Sequence, residues 1–275
     1  MKKPVATIIL NRNLPKVTNK LYRHIKKYDG DYTDIFVVEA GSDPNNLSRY
    51  CTWHASWSSA KKKGLRYNRG MNYALSELWK NNNFYNYQGF FLITNDTELY
   101  EKSTINTLLK IIEKNNKIGI LSPCSKKWEE RKLIKANSYK FFWHITNNAY
   151  FLKTKFLSKI LNSDKPDYKN FIFDGNNFRG YGTETELIAK GYANDYASAI
   201  TRSVWAEENE NYLKEKVEII KTENYDRNLE LYLKEGLKWM KVKYGFNSKW
   251  DMTNYAKIYY DAFFRNYPEQ IDYKL

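Results

Sequence analysis

Short apolar runs separated by polar turns dominate the first 120 or so residues. Val5 to Leu10 is compact and rich in β-branched residues, passes into Asn11-Arg12-Asn13, and precedes a helical pattern from about Lys16 to Tyr28. Asp34-Ile-Phe-Val-Val-Glu39 repeats the strand and closes on the turn residues Ala40-Gly41-Ser42-Asp43-Pro44. Asn72 to Trp79 has apolar groups at helical spacing, Phe90 to Thr94 reads as a strand, Ile105 to Lys114 as a helix and Ile118 to Leu121 as a strand. This alternation predicts an α/β fold whose mostly parallel sheet is covered on both faces. Beyond Ser122 the pattern loosens into the charged stretch Lys126 to Lys135, the aromatic cluster Tyr139 to Trp143 and the apolar segment Ala149 to Leu152. Leu229, Leu233, Leu237 and Met240, then Tyr255, Ile258, Tyr259, Ala262 and Phe263, return to helical spacing. Residues from about 208 onward are therefore expected to form a helical appendage whose apolar faces are core and packing surface.

A chain of 275 residues with 42% hydrophobic content can bury a sizeable core. No window approaches a membrane span, and Met1-Lys2-Lys3-Pro4-Val5 leads into a strand rather than a signal peptide's apolar core, so a cytoplasmic protein is expected. Cys51 and Cys124 fit no zinc or redox spacing and read as reduced thiols. The net charge of +14 is uneven. Residues 206–275 hold 12 Lys plus Arg against 13 Asp plus Glu, which leaves 33 against 18 in residues 1–205. A field of that sign favours an anionic ligand or surface without choosing among them.

Three acids carry the candidate chemistry. Asp96 follows the apolar run Gly89-Phe-Phe-Leu-Ile-Thr-Asn95, Glu39 ends the second strand, and Glu184 lies in Gly180-Tyr-Gly-Thr-Glu184-Thr-Glu186. Strand ends are where ligands sit in open α/β sheets, and a carboxylate there can hold a hard divalent cation against a phosphate. Taken singly, each acid also reads as a helix cap or solvated loop residue. His24, His54 and His144 lie among aromatic or basic neighbours and read as structural.

Four segments in order then match a known pattern. Val5-Ala-Thr-Ile-Ile-Leu-Asn11-Arg-Asn13 resembles the opening strand of glycosyltransferase family 2 enzymes, and Phe36-Val-Val-Glu39-Ala-Gly41-Ser42 resembles their Val-Val-Asp-Asn-Gly-Ser segment. Asn68-Arg69-Gly70-Met71-Asn72 resembles the stretch before their next helix. Leu92-Ile-Thr-Asn95-Asp96-Thr97-Glu98-Leu99 is similar to a version of the Asp-x-Asp signature found in the rhamnosyltransferase-like bacterial branch. A weaker likeness continues through Asn147-Asn-Ala-Tyr-Phe-Leu152, an acceptor-side strand, then Phe173-Asp174, Phe178, Tyr181-Gly182-Thr183-Glu184-Thr185-Glu186-Leu187 and Lys190-Gly191-Tyr192.

The resemblance implies a GT-A fold: a Rossmann-like sheet over residues 1–207, with a donor half of about 1–122 and an acceptor half of about 123–207, followed by the extension 208–275. It implies an inverting sugar transfer from a nucleotide-sugar donor to a glycan or lipid-linked acceptor in bacterial surface polysaccharide synthesis, with Mg2+ or Mn2+ held by Asp96. Glu184 aligns with the catalytic base, while Glu186 stays open for that role. Asn11, Asn13, Glu39, Ser42, Arg66, Arg69, Asn72, Asn95 and Asp96 fall on the donor side, and Asp174, Tyr181, Gly182, Glu186 and Trp205 on the acceptor side. Pro44 stands where the family has an acid, and no His follows His144, so Trp205, Glu207 or nothing takes the place of a metal-associated His. Peripheral contact with the inner face of the cytoplasmic membrane stays open through the aromatic C-terminal helices. The rival readings are a basic, aromatic single-strand nucleic-acid binder and an inactive nucleotide-binding relative; under the transferase reading no nucleic-acid partner is expected.

Overall fold

The run that opens the chain lies at the middle of a nine-stranded sheet in the computed structural model, which describes residues 4–145, 149–209 and 211–275. In chain order the elements are β1 (Val5–Asn11), α1 (Pro15–Asp29), β2 (Thr33–Glu39), β3 (Cys51–His54), α2 (Ser58–Lys63), α3 (Arg66–Lys80), β4 (Gly89–Thr94), β5 (Thr97–Leu99), α4 (Thr104–Lys114) and β6 (Ile118–Cys124). The second half adds α5 (Glu130–Leu133), β7 (Tyr139–Phe141), β8 (Tyr150–Lys153), α6 (Thr154–Leu157), α7 (Thr183–Ala193), β9 (Ala197–Glu208), α8 (Asn211–Glu215), α9 (Val217–Ile220), α10 (Tyr225–Tyr244) and α11 (Lys249–Asn266). The strand order is β3-β2-β1-β4-β8-β6-β9-β5, with β7 also paired to β9.

Every residue of β1 is buried, which is why its sequence is continuously apolar rather than alternating. It runs parallel to β2 and β4, with Asn11 opposite Glu39 and Leu10 opposite Thr94. Three strands therefore deliver their last polar residues to one edge. Six of the strands share this direction; β8, inserted antiparallel between β4 and β6, and the short β5 and β7 oppose it. The expected acceptor-side strand is β8, although Asn147 and Asn148 lie outside the described residues.

β9 is the longest of the strands that the sequence pattern does not supply, the others being β3, β5 and β7. Its polar Thr201, Arg202 and Ser203 interrupt the apolar run, yet it pairs in turn with β6, β7 and β5 and ends on Glu208. Past it, α11 packs on α7, and Ala256, Tyr260, Phe263 and Phe264 belong to the main core. The Leu229–Leu233–Leu237 stripe departs from expectation: these side chains are 44%, 39% and 37% exposed. α10 instead faces the body with Gly236, Trp239 and Met240, because Gly236 sits directly against the Tyr181 ring and admits no side chain there.

Candidate functional site

A cavity of about 490 Å³ opens at the ends of β1 and β4. Its floor is a hydrogen-bonded clamp between strand ends. Asn11 Nδ2 donates to Glu39 Oε2 at 2.8 Å, and Asn11 Oδ1 accepts from Asn95 Nδ2 at 2.7 Å. Glu39 is fully buried and its oxygens are engaged, Oε2 also accepting from the Ser42 hydroxyl at 2.5 Å and Oε1 from Ser48 N at 2.7 Å. Glu39 and Ser42 thus shape the loop behind the cavity rather than line it. Gly41, at φ +90°, permits this turn; a Cβ there would meet Ala60 O at 2.0 Å.

One wall is acidic. Asp96 sits in the turn between β4 and β5, and its Oδ1 is buried with no hydrogen-bond partner. Burial pushes its carboxyl above the usual range, against a lowering contribution from the Thr94 hydroxyl. Glu208 reaches the same cavity from the end of β9, where it pairs with Thr97, and Asn209 N donates to Asp96 O at 3.0 Å. Burial, and then the negative charge of Glu208, raise the Tyr67 phenol.

The third acid, Glu184, enters from the start of α7 and pairs with Lys249 at 3.0 Å. Asn68 Nδ2, buried, donates to Thr183 Oγ1 at 2.9 Å, and Asn177 Nδ2 donates to the same oxygen at 3.2 Å, so the first helical residue is fixed beside Glu184. Gly182 caps the helix at φ +77° under Met240, whose Cε would lie 2.3 Å from an added Cβ. Glu186, two residues on, points elsewhere. Its Oε1 accepts from Lys243 at 2.8 Å and Tyr244 OH at 2.5 Å, and it does not line the cavity.

Another part of the wall is cationic, made by Arg12, Arg66 and Arg179. Arg66 takes φ +56°, a left-handed conformation unfavourable for a long side chain, at the first residue of α3. Its Nη2 donates to Thr222 Oγ1 at 2.7 Å and Glu223 Oε2 at 2.9 Å. Burial and the neighbouring Arg179 lower Arg66 to about 10, whereas the Arg179 hydrogen bond draws Glu223 down to about 2. Residues 219–223 form a strap across this wall. Ile219 O accepts from Asn13 Nδ2 at 2.8 Å, and Lys221 pairs with Asp43 at 2.7 Å. Asn13 meets the strap from φ +57°, which Asn tolerates better than most residues.

Of the remaining expected residues, Asn72 is fully buried and ties α3 to Ile172 and Phe173, donating to Phe173 O at 2.7 Å. Arg69 donates to Gly175 O at 2.7 Å and faces the Phe178 ring. Burial would raise Asp174, but hydrogen bonds from Lys243 and Trp239 hold it below the usual carboxylate range. Arg69 and Asp174 line a second cavity, while Tyr181 packs edge-on against Tyr232. Trp205 stands apart under the Lys126 ammonium, and Glu207 pairs with Lys127. The acid of this strand end that lines the cavity is Glu208, one residue past Glu207. Sequence reading also missed Arg12, Arg179, Tyr232 and Lys249; only Arg12, between Asn11 and Asn13, carries a local signal. Burial raises the free thiols Cys51 to about 11 and Cys124 to about 12, so neither is a ready nucleophile at neutral pH.

The residues present fit a divalent cation bound together with a diphosphate. Among the described residues no three His, Cys, Asp or Glu side chains form a self-sufficient metal site. Asp96 offers an unpartnered buried oxygen and Glu208 a second carboxylate, and Mg2+ needs only one or two when phosphates and water complete its shell. Arg12, Arg66 and Arg179 supply compensating positive charge.

No family model and no curated protein matches the sequence. Among solved structures the chain is similar to S. aureus TarS, with a TM-score of 0.51 at 12% identity, covering 89% of this chain and 46% of that one. It is similar to TarS 1–349 with a TM-score of 0.51 at 12% identity, covering 88% and 74%. TarS 1–349 in complex with UDP gives 0.50 at 11% identity, again covering 88% and 74%. The chain thus spans about half of the longer TarS chain. The fold is GT-A: a curled, mostly parallel sheet flanked by helices.

Proposed function

We propose that this chain is an inverting glycosyltransferase that moves a hexosyl or deoxyhexosyl group from a nucleotide-sugar donor to a hydroxyl of a glycan or lipid-linked acceptor in bacterial surface polysaccharide synthesis. The observation that carries the reading is that one cavity at the strand ends is lined by the acids Asp96, Glu208 and Glu184 together with Arg12, Arg66 and Arg179. The UDP bound to a TarS structure of the same fold supports a nucleoside diphosphate as the donor's leaving portion.

Asp96 and Glu208 would hold the cation, which supplies Lewis-acid compensation for the charge developing on the diphosphate. The three arginines bind and orient the phosphates, and guanidinium forks suit that task better than ammonium groups. Glu184 takes the proton of the acceptor hydroxyl as its oxygen attacks the anomeric carbon, and the donor oxygen leaves with its electron pair from the opposite face. A single displacement of this kind inverts the configuration. Lys249 holds Glu184 in place at 3.0 Å. Asn11, Glu39, Ser42 and Asn95 are positioning residues that fix the loop ends through the clamp. Asn72 holds α3 against the segment that leads to α7.

The test is thermal unfolding with a panel of nucleoside diphosphates and sugar nucleotides, each with and without Mn2+. One of them should raise the midpoint, and more so with metal. No response to any of them removes the transferase reading.

A further inference from the structure

Beyond the arginine wall lies a second cavity of about 1090 Å³, and Arg66 and Arg179 line both. Eight Lys and Arg surround it against three acids. Those acids are already engaged: Glu223 by Arg66 and Arg179, Asp174 by Lys243 and Trp239, and Glu235 by Arg179 at 3.3 Å. Among the described residues Lys62, Lys63, Arg69 and Lys238 have no carboxylate partner, and the three lysines are exposed. Phe178 lies beneath the guanidinium groups of Arg69, Arg66 and Arg179 at 4.7, 5.9 and 5.9 Å, which limits their freedom and sets a fixed cationic face.

We propose that this second cavity binds an anionic saccharide chain, the acceptor, and leads it past Arg66 and Arg179 so that a hydroxyl reaches Glu184. The proposal rests on the glycosyltransferase reading and adds the acceptor's chemical class. Phosphate and carboxylate groups on such a chain share the chemistry the cavity recognises, since both accept from Arg forks and Lys ammonium groups. A nucleic acid fits less well. Single-strand binders stack bases on open aromatic faces, whereas here Trp239 is only 7% exposed and Phe178 is covered by guanidinium groups. Residues 222–223 of the strap lie between the two cavities and would flank the chain.

The experiment is calorimetric titration of the full chain with hexagalacturonate, sodium tripolyphosphate, maltohexaose, an oligo-dT 12-mer and phosphatidylglycerol vesicles. A parallel titration with UDP and Mn2+ reads the first cavity. At least one of hexagalacturonate and tripolyphosphate should bind and weaken with added salt, with maltohexaose silent; the stronger of the two tells carboxylate from phosphate. The triple variant Lys62→Gln/Lys63→Gln/Lys238→Gln should lose about tenfold in that affinity while keeping UDP binding and its unfolding midpoint. Arg at the same three positions should restore binding. Unchanged anion affinity in the Gln variant, equal binding of maltohexaose, or preference for oligo-dT or vesicles overturns the proposal. Anion binding without response to any nucleoside diphosphate overturns the transferase reading and, with it, the acceptor role; nucleotide binding with silent anions overturns the acceptor class alone.

Discussion

Glu184 and Glu186 sit on the first turn of α7 and meet opposite surroundings. Glu184 faces the cavity with one cation beside it, whereas Glu186 is buried among Lys243, Tyr244 and Lys190. Glu184→Gln should therefore lower turnover by about 10²- to 10⁴-fold with UDP affinity retained, as read by single-turnover assays beside calorimetry. Glu186→Ala should instead cost about 1–3 kcal/mol of stability, because the Tyr244 hydroxyl and the partly exposed Lys243 and Lys190 lose their buried acceptor, measured by urea unfolding. Equal kinetic defects with intact stability would reverse the two roles. In the same cavity, Asp96→Asn and Glu208→Gln should each weaken Mn2+ binding in the presence of UDP, followed by the paramagnetic resonance signal of the free ion. An unchanged signal in Glu208→Gln would remove that residue from the metal site. Asp96 is legible in the sequence because a strand-ending acid is a local pattern. Glu208 is not, since its approach to Asp96 depends on β9 pairing with β5 across more than a hundred residues.

Among the elements, those with continuous apolar runs are legible in the amino-acid sequence. β1, β2, β4 and β6 are such strands, and Asn11, Glu39 and Thr94 at the ends of the first three mark the edge where the cavity opens. β9 is hidden because polar residues break its middle, and the apolar stripe of α10 points to the wrong inward face. Helical spacing identifies a stripe but does not say which stripe meets the body; Gly236 and Tyr181 settle it by close approach. The start of α7 is a comparable contact. Gly182→Ala would place a side chain at φ +77° and against Met240, and should cost about 1–3 kcal/mol from the backbone conformation alone. Combining it with Met240→Ala should recover only the steric part of the loss, a difference that a double-mutant cycle in urea measures.

Across the whole molecule, the strap joins the first loops to the C-terminal helices through groups that titrate. Glu223 is held near pH 2 in the folded chain, chiefly by its Arg179 hydrogen bond, against an ordinary value of 4.5. Its contribution is therefore complete above about pH 4.5 and is lost as the pH falls toward 2. Protection factors of the amides in residues 217–223 should fall across that window before the core opens, and in Glu223→Gln they should be low already at neutral pH with little further acid dependence. The uneven charge visible in the sequence finds a place at this scale as well: the cations that the strap leaves unpaired gather at the second cavity.

The bond from Asn13 to Ile219 joins positions 206 residues apart. Chains leave the ribosome from the amino end, and early segments fold while later ones are still being made. The loop after β1 is among the first pieces of the cavity rim to emerge, yet its clasp is synthesised only after β9 is complete. A nascent chain halted before residue 219 would carry the cavity rim without the strap that Asn13 and Asp43 hold in the finished fold. The cavity is walled on that side only once residues 219–223 have left the ribosome.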